Sequence, residues 1–471
     1  MTVVPAAARG RGWPPDWGRL AGGIVWLTAA LLVGLALPLV LADQTGSLVS
    51  LAIIGLVAGI GLVVFAFARP EALFVVAFVL LAVVRTNPAP VDLIFALLVV
   101  STLSRGRPFA RVPPLIGVGL VLFGILSIAS TINALDGRRA LVFGSTTVYL
   151  IVLALWLTGM FENAALTRRA LKAYVLVAVA SAIIGILALE VPFPGRALFL
   201  YDSQRPMALF KDPNVFGPFL VPAAAIMLEE LIRPRLLGWN ARRSFLAFAT
   251  LSAGVVFSFS RAGWLNLGIA IAVVVCVYAG RKRGLAATAR SIGAIALCAL
   301  LGIGLLVSTG SLSFLESRSH LINYDTQRFA AQSTALEHAS THVLGFGPGQ
   351  SEVELNISTH SLYARVGYEQ GLLGLALMIG ILGATLLVAV ELVARDSDLH
   401  GLGSAALLAS WIGLLANSFF VDTLHWRHLW VVAAFIWCAS ALSAQAGLPA
   451  GKLRPAIAAI TNSGSRSSST S

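Results

Sequence analysis

The chain has 471 residues, 58% of them hydrophobic and 11% charged, with a formal net charge of +12. A soluble domain carries roughly 25% charged residues, so composition excludes a soluble globular protein. The basic residues are spread through short loops between apolar runs, not gathered on one solvated face. That excludes a nucleic-acid partner and leaves the charge a topological role.

Runs of apolar residues recur throughout, each long enough to cross a hydrocarbon core of about 30 Å as a helix. In lipid the backbone must satisfy its own hydrogen bonds, so these runs are helices. The predicted fold class is all-α, a polytopic integral membrane protein. Residues 1–20 hold Arg9, Arg11 and Arg19 with no small-residue cleavage pattern after a short apolar region. They read as a cytoplasmic tail, not a signal peptide. Apolar spans follow at 21–42, 46–68, 71–84, 91–104, 113–132, 140–160, 171–190, 216–232, 244–259, 263–279, 291–309, 364–393, 401–421 and 429–446. The third, fourth and ninth are short, so about 12–14 transmembrane helices are expected. Residues 447–471, rich in Ser, Gly, Ala and Arg, read as a disordered cytoplasmic tail. Cys276, Cys298 and Cys438 fall inside apolar spans without metal-ligand spacing and read as small buried hydrophobes.

Lys and Arg set the orientation. Arg105, Arg107 and Arg111 crowd one loop; Arg168, Arg169 and Lys172 another; Arg233, Arg235, Arg242 and Arg243 a third; Arg281, Lys282, Arg283 and Arg290 a fourth. All four fall on the side of the basic N-terminus, which is therefore cytoplasmic. The external loops are then 133–139, 191–215, 260–262, 310–363 and 422–428. Arg138 and Arg139 dissent, as a positive pair in an external loop.

The chemistry sits in those external loops. Loop 191–215 carries Arg205, Lys211, Asp212 and Asn214, and the tight turn at 260–262 carries Arg261. The longest loop carries Arg318, Arg328, a Gly345–Gly349 turn and His360, with Tyr363 and Glu369 following. Arginine is always charged and grips phosphate oxygens bidentately, so two of them can neutralise a diphosphate leaving group. Histidine titrates near neutral pH and can take a proton from an attacking hydroxyl. The Gly-rich turn and loop helix ends could add N–H donors for an anion. Taken singly, Arg205 fits a membrane-edge anchor and His360 a surface histidine. Arg261, between two apolar spans with almost no loop around it, needs a partner or a function. Asp422, His425, Arg427 and His428 form a polar knot that caps and anchors the last two spans, with Asp422, His425 and His428 as alternative metal ligands.

Over roughly residues 200–430 the chain resembles the O-antigen ligase and O-antigen polymerase superfamily of bacterial membrane glycosyltransferases. Its R-x-x-x-L pattern is matched from Arg205 to Leu209 and from Arg261 to Leu265, and H-x10-G from His360 to Gly371, with Gly374 following. The stretch from Arg328 to Gly345–Gly349 resembles the family's large external loop. The chain departs at Ser361, where the family often has Asn. The resemblance implies a GT-C-like fold, with residues 21–446 a transmembrane catalytic domain that includes the external loop 310–363. It implies an inverting transferase on the outer face of the bacterial cytoplasmic membrane. The donor would be an undecaprenyl-diphosphate-linked glycan and the acceptor a hydroxyl of a glycan or lipid-linked glycan, among membrane lipids. By the resemblance, Arg205 and Arg261 bind the diphosphate and His360 is the general base, while Lys211, Asn214 and Arg328 contact phosphate or sugar. No cofactor and no metal are expected, in keeping with the lack of an external Asp-x-Asp. The alternatives are a protein O-oligosaccharyltransferase of the same superfamily and a secondary transporter or polysaccharide exporter. Ionisable residues near the bilayer midplane would mark a transporter; here the polar residues lie at span ends.

Overall fold

The computed structural model describes residues 47–86, 88–104, 112–280, 323–355 and 358–446, with scattered positions between 289 and 307. The expected span at 21–42, much of the one at 291–309, both tails, the basic stretches at 105–111 and 281–288, Arg290 and Arg318 lie outside the described residues. The described elements are helical apart from two short antiparallel ladders and one isolated bridge. Seven helices among them are long and apolar enough to cross a membrane. The chain is thus a polytopic all-α membrane protein.

Two compact units divide the chain, one of residues 1–78 with 90–108 and one of residues 79–89 with 109–471. The first holds α1 (Ser47–Ala68), most of α2 (Pro70–Leu80) and α3 (Pro90–Leu103). Ala58–Ala68 and α2 qualify as a span only together, across a 120° bend. Phe78 meets Phe74 at 5.2 Å and Phe95 edge-on at 6.4 Å, and Ser101 Oγ donates to the Ala66 carbonyl at 3.0 Å.

The second unit carries α4 (Pro114–Ala129), α5 (Gly137–Met160), α6 (Ala164–Glu190), α7 (Pro213–Ile232), α8 (Ala241–Phe257) and α9 (Arg261–Ala279). It continues with α10 (Asn323–Thr341), a single turn α11 (Ser351–Glu354), α12 (Leu362–Ala394), α13 (Ser404–Asn417) and α14 (Arg427–Gln445). Short polar side chains start many of these helices by accepting from their first free amides. Asp136 caps α5, Asn163 caps α6, Asp212 caps α7, Asn240 caps α8 and Ser260 caps α9.

Helix α7 is the axis of this unit. Its apolar window is 94% buried, against 33% to 50% for α4, α5, α6, α9 and α12, which keep a face for lipid. It packs against α6, α8, α9 and α13. At Gly217 any Cβ would stand 2.5 Å from Ser258 Oγ, so only glycine lets the α8–α9 turn come this close to the first turn of α7.

At the other end of α7, two buried carboxylates act as caps. Glu229 accepts from the Tyr278 hydroxyl at 2.7 Å and from Ala406 N at 2.8 Å, so it serves the first turn of α13. Glu230 accepts from the amides of Arg235, Leu236 and Leu237. The basic loop residues there have partners: Arg168 donates to the His400 carbonyl, Arg233 pairs with Asp396 at 2.9 Å and Arg235 with Asp398 at 3.1 Å.

Helix α12 is broken at Gly371, whose φ of 72° and ψ of −173° are essentially open to glycine alone. The break frees the carbonyls of Tyr368 and Glu369. Phe346 N takes the first at 3.0 Å and Gly347 N the second at 2.9 Å, and Asn133 Nδ2 holds the Gly345 carbonyl at 2.9 Å. The Gly345–Gly349 turn is therefore a plug for a helix break. The expectation that it offers these N–H groups to an anion is corrected, because α12 already uses them. A Cβ on residue 371 would also lie 2.2 Å from the Val343 carbonyl. Gly371→Ala is accordingly expected to cost about 1–3 kcal/mol in backbone strain alone. The melting midpoint in detergent should drop, while Gly380→Ala, which meets nothing within 4 Å, should leave it unchanged or higher.

Candidate active site

One cleft of about 1070 Å³ opens at the end of the second unit where α7, α9 and α14 begin. Arg205, Lys211, Asn214, Arg261, Arg328 and His360 all line it. The six residues singled out in the sequence, spread over more than 150 positions, thus share one wall. Arg365 and Arg427 add two further cations, and Asp202, Asp212, Glu352 and Asp422 are the carboxylates.

Local folding explains the position of Arg205. Asp202 and Ser203, with φ of 49° and 58°, turn the chain so that β1 (Leu200–Tyr201) pairs with β2 (Arg205–Pro206), Tyr201 opposite Arg205. Beyond the hairpin, Val84 N donates to the Leu209 carbonyl at 3.0 Å, which ties the loop down. Arg205 Nη2 then reaches Asn214 Oδ1 at 3.3 Å and the Phe259 carbonyl at 3.2 Å. It therefore spans the starts of α7 and α9. Asn214 orients Arg205, and Asp212 Oδ1 accepts from Asn214 N at 2.6 Å.

Arg261 is the first residue of α9, directly after its cap Ser260. The chain enters through Phe259, whose φ is 50°, and Ser260 N donates to Ser258 Oγ at 3.3 Å. That compact turn puts Arg261 on the cleft wall with Ala262 and Leu265. The leucine of this R-x-x-x-L pattern lines the cleft beside its arginine, one helical turn on.

His360 sits in a short irregular segment held from both sides. Gln332 Nε2 on α10 donates to the Thr359 carbonyl at 2.8 Å, and Leu362 N donates to the Ser418 carbonyl at 3.0 Å. Its own φ is 47°, which turns the residue out of line with the start of α12. Ser361 caps that helix by accepting from Ala364 N. Serine and asparagine are near-equivalent caps, so the departure at Ser361 keeps this role. Burial, and then the Arg328 charge, hold the His360 imidazole below the usual histidine range; Asp212, Asp422 and Glu352 pull the other way. Arg328 donates to the Phe420 carbonyl, which fixes α10 over this wall.

Four helix starts therefore converge here: α7 through Asp212–Val215, α9 through Arg261, α12 through His360 and Arg365, and α14 through Trp426, Arg427 and His428. Each start carries about half a positive charge from its aligned peptide dipoles. Added to an excess of cationic side chains, these helix starts make the cleft a site for an anion with several oxygens.

The knot around Asp422 resolves into separate contacts. Asp422 pairs with Arg365, His425 Nε2 lies 3.1 Å from Thr147 Oγ1, and the His428 ring sits edge-on to Phe219. Among the described residues no three His, Cys, Asp or Glu side chains are grouped to hold a metal ion. The alternative of Asp422, His425 and His428 as metal ligands is corrected, since Asp422 is drawn to Arg365, His425 to Thr147, and the three do not group.

Sequence reasoning missed Arg365 and Glu352. The signal for Arg365 was its spacing to Glu369: an i,i+4 ion pair at the head of an apolar run is costly unless it is used. Arg139, the topological dissenter, is paired with Glu352. It belongs to the cleft's ion pairs, which is why a cation stands in a loop that orientation would keep neutral.

Burial pushes His425 down to about 4 from the ordinary 6.5. Between those values the unfolded chain binds a proton that the folded chain does not, so stability falls as pH drops from 6.5 toward 4. Melting midpoints in detergent should follow that trend, and His425→Gln should flatten it.

Residues 246–379, which include Arg261, Arg328, His360 and Arg365, match the family model described as O-Antigen ligase. No curated protein and no solved structure matches the chain. Over residues 246–379 the chain is similar to the O-antigen ligase family.

Proposed function

We propose that this protein is a membrane glycosyltransferase. It moves a glycan from a polyprenyl-diphosphate carrier, undecaprenyl diphosphate by family resemblance, to an acceptor hydroxyl at the outer face of the cytoplasmic membrane. The observation that carries this reading is the gathering of Arg205, Arg261 and His360 on one cleft into which four helices direct their starts. The family match supports glycosyltransferase-type activity on a lipid-linked glycan.

The chemistry follows from charge. As the sugar–oxygen bond to the diphosphate breaks, negative charge grows on the leaving oxygen. Arg205 and Arg261 stand where that charge can be met, and fixed cations in a partly dry cleft need no reorganisation at that moment. His360, held neutral by burial and by Arg328, takes the acceptor hydroxyl proton as that oxygen attacks the anomeric carbon from the opposite face. The new glycosidic bond is inverted, the carrier leaves as its diphosphate, and the proton resides on the imidazole. Asn214 orients Arg205, and Lys211 and Arg328 contribute to phosphate or sugar contact. The arginines serve as the electrophilic partner, so the step is metal-independent in this reading.

Alanine at Arg205, Arg261 or His360 is expected to lower transfer by at least 100-fold, the usual worth of a stabilising donor or general base. Gels of surface glycan and of lipid-linked intermediates provide the check. Long lipid-linked chains without surface product would identify a ligase, and single unpolymerised repeats a polymerase. Unchanged pools in all three variants, with the protein present in the membrane, would sink the proposal. The rate should also fall as His360 protonates, on an acid limb below pH 6.5.

A further inference from the structure

Arg365 belongs to none of the sequence patterns, yet the residue is buried, 3% exposed, on the wall of the cleft. All three of its nitrogens are in ion pairs. Nε pairs with Glu369 of its own helix at 2.9 Å, Nη2 with Glu352 of α11 at 3.0 Å, and Nη1 with Asp422 ahead of α14. Each carboxylate is held from a second side: Ser351 Oγ donates to Glu369 at 2.8 Å, Leu424 N to Asp422 at 3.1 Å, and Arg139 pairs with Glu352. The Phe143 ring lies under both guanidiniums, 5.2 Å from Arg139 and 5.3 Å from Arg365.

Stability is a poor reason for such a cluster. A buried ion network is often no more stable than apolar residues of the same volume. Its address is the better reason. Glu352 and Asp422 line the same cleft as His360 and act on the imidazole, as do Asp212 before α7 and Arg328 on α10. Lys211 and His425 stand on the same wall. Three carboxylates against one cation would hold a proton on His360 if two of them were not already matched.

We propose that Arg365 is a positioning residue, which fixes Glu352 and Asp422 in the cleft wall and offsets part of their charge against the His360 imidazole. This rests on the reading of His360 as the general base. With Arg365 uncharged, the negative field at His360 grows, the imidazole keeps its proton to higher pH, and less of it is free to accept one.

The test needs no substrate. Diethyl pyrocarbonate acylates an imidazole in its neutral form and not as imidazolium, so its reaction at the His360 peptide in the full chain, followed by mass spectrometry across pH 5 to about 9, reads the protonation midpoint. In Arg365→Gln the midpoint should rise by about one unit, a roughly tenfold loss of neutral imidazole on the acid side. Arg365→Lys should keep the wild-type midpoint. Asp422→Asn, which removes one negative charge from the cleft wall, should lower it, and serves if Arg365→Gln does not fold. Midpoints unchanged in the folded variants would overturn the proposal. His360→Ala keeps the two readings apart. If it transfers glycan normally while the midpoints shift as stated, the base reading fails and the electrostatic role of Arg365 stands. If it is inactive and no midpoint shifts, the reverse holds.

Discussion

Backbone carbonyls opened inside an apolar bundle find no water, so the break in α12 at Gly371 has to be filled by protein. Phe346 and Gly347 supply the missing donors, and the rest of the cleft is arranged around that repair. The plug pulls the segment ahead of α12 against the bundle. Gln350 is then fully buried and exchanges hydrogen bonds with the backbone of Asp136, at 3.0 Å and 3.1 Å. Glu352 arrives beside Arg139 and Arg365. The short first segment of α12 is set apart from the long second one by the kink at Gly371, and His360 just ahead of it and Arg365 within it line the same cleft as Arg205 and Arg261. The glycine that ends the H-x10-G pattern acts on the histidine through the backbone: it sets the angle at which the histidine's helix begins.

A second constraint is that charge in this unit must be matched or exposed. The protein meets it differently at its two ends. At the Glu229 end, Arg233 pairs with Asp396 and Arg235 with Asp398, while Glu229 and Glu230 are consumed as caps. At the cleft end, cationic side chains outnumber carboxylates on the lining and helix starts add to the excess. Two carboxylates there are drawn onto a single guanidinium. A cleft with surplus positive charge suits an anionic ligand.

Much of this was legible in the sequence. Helix class follows from apolar runs because lipid leaves no other solution for the backbone; the spans expected at 140–160, 171–190, 216–232, 263–279 and 364–393 lie within α5, α6, α7, α9 and α12, and the one at 429–446 runs one residue past α14. The run at 401–421 contains only the shorter α13, because the hairpin of Asp398–Leu399 with Leu402–Gly403 and the turn after Asn417 take its ends. The co-location of Arg205, Arg261 and His360 followed from charge asymmetry between loops plus two short patterns, which fix a side and a spacing.

Other features could not be read there. A Gly-Phe-Gly-Pro-Gly string looks the same whether its amides face an anion or a broken helix; only the position of Tyr368 and Glu369 decides that. Arg139 looked like an orientation error until Glu352, over two hundred residues away, was placed beside it. Periodicity and composition report each residue's preference for lipid or water, a property of the residue and its near neighbours, and so the sequence by itself determined the helices and the cationic loops. Pairing is a property of distance, and distance between remote segments is settled only when the helices pack. Tertiary structure alone therefore decided that Arg365 holds three carboxylates, that Asn214 steadies Arg205, and that four helix starts meet at one cleft.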